Sequence, residues 1–304
     1  ILSGIRKNDE VICPIFTCTA TNIPLLYIGA KIKFADIDPK TMNIDIQSVK
    51  KLITKKTKAI VFVNYGGLPC DLAELNKIAK KNKIVLIQDA AQSLAAKYNN
   101  KPIVRFADYT IYSFQAIKQI TSGDGGMLVL KDKKQLKKAY RIRWFGIDRL
   151  AKQGGTWEND IKEIGYKYQM TDIGASLLLE SIKHFKKIWS HRRKIYKIYE
   201  KILSKNPRIT IMDKKETGTE HSNWLFTICS KNKDHLQKKL RQNGIETNQV
   251  HFRNDRYSIF KKFVNGKKFK NMDFLENKYL VLPLHHKVSE TQAKYICNLI
   301  NNII

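Results

Sequence analysis

The sequence predicts an α/β protein: a mostly parallel central sheet with helices on both faces, followed by a smaller α+β C-terminal domain. Three observations carry that expectation. Through residue 130, short β-branched apolar runs alternate with amphipathic stretches of helical length, the pattern of βαβ units. A long helical stretch then runs from Thr171 to about Leu203, with Leu177, Ile182, Phe185, Ile188 and Ile195 at helical spacings. Beyond Pro207 the elements become shorter.

Taken in order, strands are expected at Glu10–Pro14 and Lys31–Asp36, and a helix over 46–53. Ala59–Val63 is continuously apolar and β-branched, as a strand buried on both faces should be. A helix over 72–81 leads to a buried strand at Ile84–Ile87 that closes on Gln88 and Asp89. Tyr109–Ser113 and Gly126–Leu130 add two more. In the C-terminal part a strand is expected around Trp224–Ile228, a helix over 234–243 and a strand near Val250. The division that follows is 1–185 for the large domain and 186–304 for the linking helix and small domain.

At 304 residues and 43% hydrophobic content the chain can bury a large core, which excludes an intrinsically disordered protein. Five cysteines, none in a C-x-x-C pair, exclude a disulfide scaffold and point to reduced thiols and a cytoplasmic location. No run of about 18 apolar residues is present, so no transmembrane helix and no membrane partner are expected. The formal charge of +29 raises a nucleic-acid reading. Against it, the lysine pairs (Lys50-Lys51, Lys80-Lys81, Lys186-Lys187, Lys267-Lys268) are scattered rather than clustered, and Ile and Asn are enriched alongside. The expectation is a solvated, compositionally biased surface with no nucleic-acid partner and a mild attraction for anionic ligands. The chain opens Ile1-Leu2-Ser3-Gly4 without Met, and is read as lacking an N-terminal segment.

Open parallel sheets hold ligands outside the carboxyl ends of their strands. Asp89 lies at such an end, where an acid serves equally as a ligand-holding group or as a helix N-cap. Ser113 ends the next strand, and Lys118 follows five residues later, flanked by Ile117 and Ile120 and without the neighbouring lysines common elsewhere. An amine in apolar surroundings has its charged form disfavoured, which makes the neutral nucleophile available. The Gly123-Asp124-Gly125-Gly126 turn by itself reads first as a hairpin connection and only second as part of that site. His285 and His286 have no metal-ligand spacing with any Cys or carboxylate, and no metal site is expected.

Asp89-Ala90-Ala91-Gln92, then Ser113-Phe114 with Lys118, then Thr121-Ser122-Gly123-Asp124-Gly125-Gly126, resembles the DegT/StrS family of pyridoxal-phosphate-dependent nucleotide-sugar aminotransferases. The likeness continues in Asp9–Pro14 with Phe16-Thr17, in Gly165–Asp172 and in Leu282–His285, and so covers nearly the whole chain. It implies the fold type I of such aminotransferases and a homodimer. It implies pyridoxal phosphate as an aldimine on Lys118, the catalytic acid/base. Asp89 would pair with the pyridine nitrogen, Gln92 would lie near the phenolic oxygen and Ser113 would help hold the phosphate, with Thr17, Cys18 and Lys167 completing the cofactor site. Cys18 stands where relatives usually carry an aromatic residue, and Lys167 where many carry Asn. The substrates implied are glutamate and a nucleotide-linked keto sugar, 4-keto-6-deoxy or 3-keto, contacted by His251, Arg253 and His285. The competing readings are a non-catalytic relative that keeps the fold and a basic nucleic-acid-binding protein.

Overall fold

The computed structural model describes residues 1–158, 160–213, 217–264 and 266–304. The strands are β1 (Glu10–Pro14), β2 (Lys31–Ala35), β3 (Thr57–Val63), β4 (Val85–Asp89), a two-residue hairpin of β5 (Lys97–Tyr98) and β6 (Lys101–Pro102), β7 (Tyr109–Ser113), β8 (Gly126–Leu130), β9 (Thr210–Ile211), β10 (Phe226–Cys229) and β11 (Tyr279–Leu282). The helices are α1 (Thr19–Tyr27), α2 (Ile46–Leu52), α3 (Leu72–Asn82), α4 (Leu136–Arg143), α5 (Arg149–Gln153), α6 (Asp172–Leu203), α7 (Lys233–Gln242), α8 (Lys270–Leu275) and α9 (Glu290–Ile303).

The main sheet runs β2-β1-β3-β4-β7-β8, parallel except for β8, which lies antiparallel to β7. Alternation along β1 sends Val11 and Cys13 to one face and Ile12 to the other, and each face carries its own core. Phe16, Leu25, Phe34 and Val61 fill the first with Phe260, Phe269 and Met272 from the C-terminal part; Ile60, Phe62, Leu72, Leu75 and Leu86 fill the second. This is the expected mostly parallel sheet covered on both faces, with a smaller C-terminal region in which β10 sits between β9 and β11 in an antiparallel sheet. Its core draws Ile195, Tyr199 and Leu203 from α6, Leu236 and Leu240 from α7, and Ile296 and Ile300 from α9.

Local chemistry sets the helix ends. Asp71 caps α3 by accepting from Glu74 N, and Lys83 closes it in a left-handed conformation. Thr171 caps α6 at Gly174 N, and Ser289 with Gln292 forms a capping box at α9. Helix α6 is continuous through residue 185, so it belongs to both parts of the molecule.

One expectation is corrected. No strand forms near Val250; Asn248 makes an isolated bridge to Val281, and the third strand of the small sheet is β11 instead. The apolar run Tyr279–Leu282 completes the buried core beside β10, whereas residues 249–253 are drawn away to meet the large domain, with Asn254 N donating to Ile15 O. Helix α1, which is not among the elements expected from the sequence, forms along the sheet with Pro24 inside it and Leu25 buried.

Candidate active site

The sheet order β1-β3-β4-β7 sets four carboxyl ends side by side, bringing residues 15–18, 64–67, 89–93 and 113–118 into one row. Asp89 ends β4. Its Oδ2 accepts a 2.7 Å hydrogen bond from the Thr21 hydroxyl, and Oδ1 accepts from Ala91 N at 2.9 Å. No helix starts at Asp89, so the N-cap alternative is not realised. The Thr21 hydroxyl is also 2.9 Å from that of Thr17, which is buried. Thr21 was missed in the sequence, although the Thr17/Thr21 spacing of one helical turn was a signal for it.

Lys118 lies in the connection between β7 and β8, where Lys118 N donates to Gln115 O. Ser122 N and the Thr121 hydroxyl both donate to Phe114 O, and Gly123 takes a left-handed φ of 81°, folding the segment back. The glycine turn is therefore both the hairpin connection and the frame of the lysine. Among the described residues Lys118 Nζ makes no ion pair or hydrogen bond; it stands 4.4 Å from the ring centroid of Trp224. Burial holds the amine below its ordinary pKa, opposed by the charges of Asp89 and Cys18.

Gln92 is buried between two partners. Its Oε1 accepts from Gly66 N at 2.7 Å, and its Nε2 lies 3.0 Å from His251 Nε2. Burial first, and then the nearby Lys118 charge, lower the His251 pKa to about 4, so the ring is neutral at pH 7. A neutral ring accepting from the Gln92 amide at Nε2 carries its proton on Nδ1. Phe16 and Tyr65 approach the imidazole edge-on, with centroids 5.9 and 6.2 Å away.

The other expected residues divide. Ser113 accepts from Gln115 N at 3.3 Å, in the row. Cys18 precedes α1 as an exposed thiol close enough to influence Lys118. Lys167 is exposed and bridges Trp144 by backbone. His285 is exposed on the small domain beside a hollow of about 730 Å³ that also takes in Leu225 and Tyr295. Arg253 does not present its guanidinium to a ligand. It is buried in a carboxylate clamp: bidentate to Asp255 at 2.7 and 2.8 Å, and bonded to Asp273 at 2.5 Å and Glu276 at 3.2 Å. Burial opposes its charge, but these bonds outweigh that and hold the guanidinium more basic than usual. The expected substrate contact at Arg253 gives way to a structural one because each of its three guanidinium nitrogens already donates to a carboxylate. Trp224 and Gly66 were missed; the Gly66-Gly67 pair after an apolar strand was the available signal.

The donor set suits pyridoxal phosphate. It offers an acid oriented by a hydroxyl and an amide for a ring nitrogen, an amine with no anionic partner for an aldehyde, and hydroxyls at strand ends for a phosphate. A cavity of about 660 Å³ opens beside Asp89 and Thr21, walled by Ile87, Ile111, Leu128 and Tyr168. The fold and this constellation define a pyridoxal-phosphate-dependent aminotransferase. The profile of the DegT/DnrJ/EryC1/StrS aminotransferase family matches residues 2–301, and the chain belongs to that family. It is 30% identical to GDP-perosamine synthase of Escherichia coli O157:H7 over 98% of this chain and 80% of the relative. It is 29% identical to UDP-4-amino-4,6-dideoxy-N-acetyl-beta-L-altrosamine transaminase of Campylobacter jejuni, over 99% and 80%. The putative sugar aminotransferase Spr1654 of Streptococcus pneumoniae, solved in its PMP form, superposes with a TM-score of 0.89 at 27% identity, over 99% of this chain and 83% of that one. Among the described residues no helix is long and apolar enough to cross a membrane, and no cluster of three His, Cys, Asp or Glu could hold a metal ion.

Proposed function

We propose that this enzyme moves an amino group from glutamate to the carbonyl carbon of a nucleotide-linked 4-keto-6-deoxy sugar, with Lys118 as the residue that carries the cofactor and transfers the proton. One observation carries the reading: the unpaired amine of Lys118 and the acid of Asp89 follow adjacent parallel strands, β7 and β4, within electrostatic reach of each other. The names of the Escherichia coli and Campylobacter jejuni relatives support the sugar class.

Pyridoxal phosphate, when bound, supplies the electron sink for the pair released as a C–H bond next to nitrogen breaks. Asp89, fixed by Thr21 and Ala91, would keep the ring nitrogen protonated. Burial makes neutral Lys118 available as a nucleophile and then as a base, a contribution of typically 10²–10⁴-fold. Gln92, held by Gly66 and His251, would lie near the cofactor's phenolic oxygen, and the Ser113 and Thr17 hydroxyls would help hold the phosphate. Lys167, exposed in one protomer, would reach the partner's phosphate as a point charge. His251 and His285 would meet the sugar nucleotide.

The first half of α6 exposes Ile173, Leu177, Leu179 and Ile182, apolar side chains that water disfavours, and they support a homodimer in which α6 is covered on more than one side.

The test is visible absorption of the protein with added pyridoxal phosphate, borohydride reduction and peptide mapping, followed by assay with glutamate and GDP- or UDP-linked 4-keto-6-deoxy sugars. A yellow protein labelled on Lys118 and active on one sugar is expected, and Lys118→Ala should be colourless and inactive. An unlabelled protein would overturn the assignment of Lys118; a labelled protein inactive on both sugars would overturn the substrate.

A further inference from the structure

Lys118 is tied to the segment that carries Trp224 by more than a ring contact. The neighbouring Gln119 donates from Nε2 to Ser222 O at 2.7 Å and lies 3.1 Å from the Ser222 hydroxyl through Oε1. Ser222 Oγ is also 2.7 Å from Leu94 O. Trp224 N donates to Gly66 O at 3.0 Å, and Arg192 of α6 clamps the carbonyls of Asn223 and Trp224 at 3.0 and 2.6 Å. Asn223 holds a left-handed φ of 56° to make the bend. The backbone that carries the indole is thus held from the long helix, the β3 turn and the lysine's own connection, and Trp224 is 7% exposed. Its face meets an ammonium that has no other partner among the described residues.

We propose that Trp224 is the positioning residue of the catalytic lysine: its ring face is the seat that holds the free Lys118 ammonium in the site whenever the amine is not covalently engaged. The proposal rests on Lys118 being the residue that carries the cofactor. An ammonium with no hydrogen-bond or ion-pair partner would otherwise swing toward water, and the quadrupole of an indole attracts a cation most strongly when the contact is desolvated. The other groups facing the amine are Asp89 from the end of β4, Cys18 before α1 and His251 from the loop preceding Asn254. None of the other three tryptophans is in reach of Lys118: Trp144, Trp157 and Trp189 face Arg149, Lys152 and Arg193.

Two measurements test this. The first is the pH dependence of the rate at which pyridoxal phosphate becomes borohydride-trapped on the cofactor-free protein. Replacing the ring by an apolar side chain removes stabilisation of the ammonium, so Trp224→Leu should shift the midpoint to lower pH by about 0.5–1 unit, and Trp224→Phe by less. An unchanged or upward-shifted midpoint in Trp224→Leu would overturn the proposal. The second leaves Trp224 in place: indole emission of the cofactor-free protein should show an alkaline titration step that Lys118→Met abolishes. The same step in both proteins would overturn it. Trapping at another residue, found by peptide mapping, would instead overturn the role of Lys118, while the emission step still reads the contact.

Discussion

At the residue scale, chemistry in this site is set by hydrogen bonds that reach back into the scaffold. Thr21 donates to Asp89, and a hydrogen bond to a charged group contributes about 1.5–3 kcal/mol. Thr21→Val should therefore weaken pyridoxal phosphate binding by about ten- to a hundredfold in a spectroscopic titration, without loss of fold. Asp89→Asn removes the charge opposite the ring nitrogen and should lower turnover by on the order of 10²-fold, measured with saturating cofactor. His251 gives a pH signature in stability. Its folded pKa of about 4 lies below the ordinary 6.5, so as pH falls below 6.5 the unfolded chain takes up the proton first. Stability present above pH 6.5 is then lost toward pH 4, by up to about 3 kcal/mol. Urea denaturation at pH 7 and 4.5 should show that loss, and His251→Gln should reduce it. The placement of Asp89 at a strand end and of Lys118 in the connection after β7 was legible in the sequence because strand ends and an isolated lysine are local patterns. Thr21, Gly66 and Trp224 act through contacts between residues that local pattern does not relate.

At the element scale, two connections hold the site together. Gly67 has a φ of 97°, and a Cβ there would lie 2.7 Å from Gln92 O and 2.9 Å from Ser222 Cβ. Gly67→Ala should cost about 2 kcal/mol or more in denaturant unfolding and loosen Gln92. The second connection is the Arg253 clamp, which binds the loop after His251 to α8 and Glu276. Removing the guanidinium leaves Asp255, Asp273 and Glu276 facing one another, so Arg253→Met should destabilise by about 3 kcal/mol. Its effect on kcat should come through stability alone, which a substrate-binding arginine would not show. Sequence pattern found β1–β4, β7, β8 and α6, whose apolar periodicity is strong. It misplaced the strand near Val250 because an apolar pair inside a loop looks the same as a short strand until the core it faces is known.

At the scale of the whole molecule, the exposed apolar residues at the start of α6 predict self-association. Leu179→Glu with Ile182→Glu should halve the mass seen by sedimentation equilibrium, since two charges would be buried without partners. The charge of +29 is spread over the surface, and among the resolved contacts only a few lysines find carboxylate partners, such as Lys33 with Glu10 and Lys50 with Glu74. By itself the sequence determined the α/β class, the order of the main strands and the acid-to-lysine pattern that names the family, because hydrophobic period and short motifs are written along the chain. Only the tertiary structure decided that Arg253 serves the scaffold, that the third small strand is Tyr279–Leu282, and that Trp224 lies beneath Lys118. Each of those depends on which distant segments share a core, and burial and hydrogen-bond satisfaction are settled when the whole chain is folded.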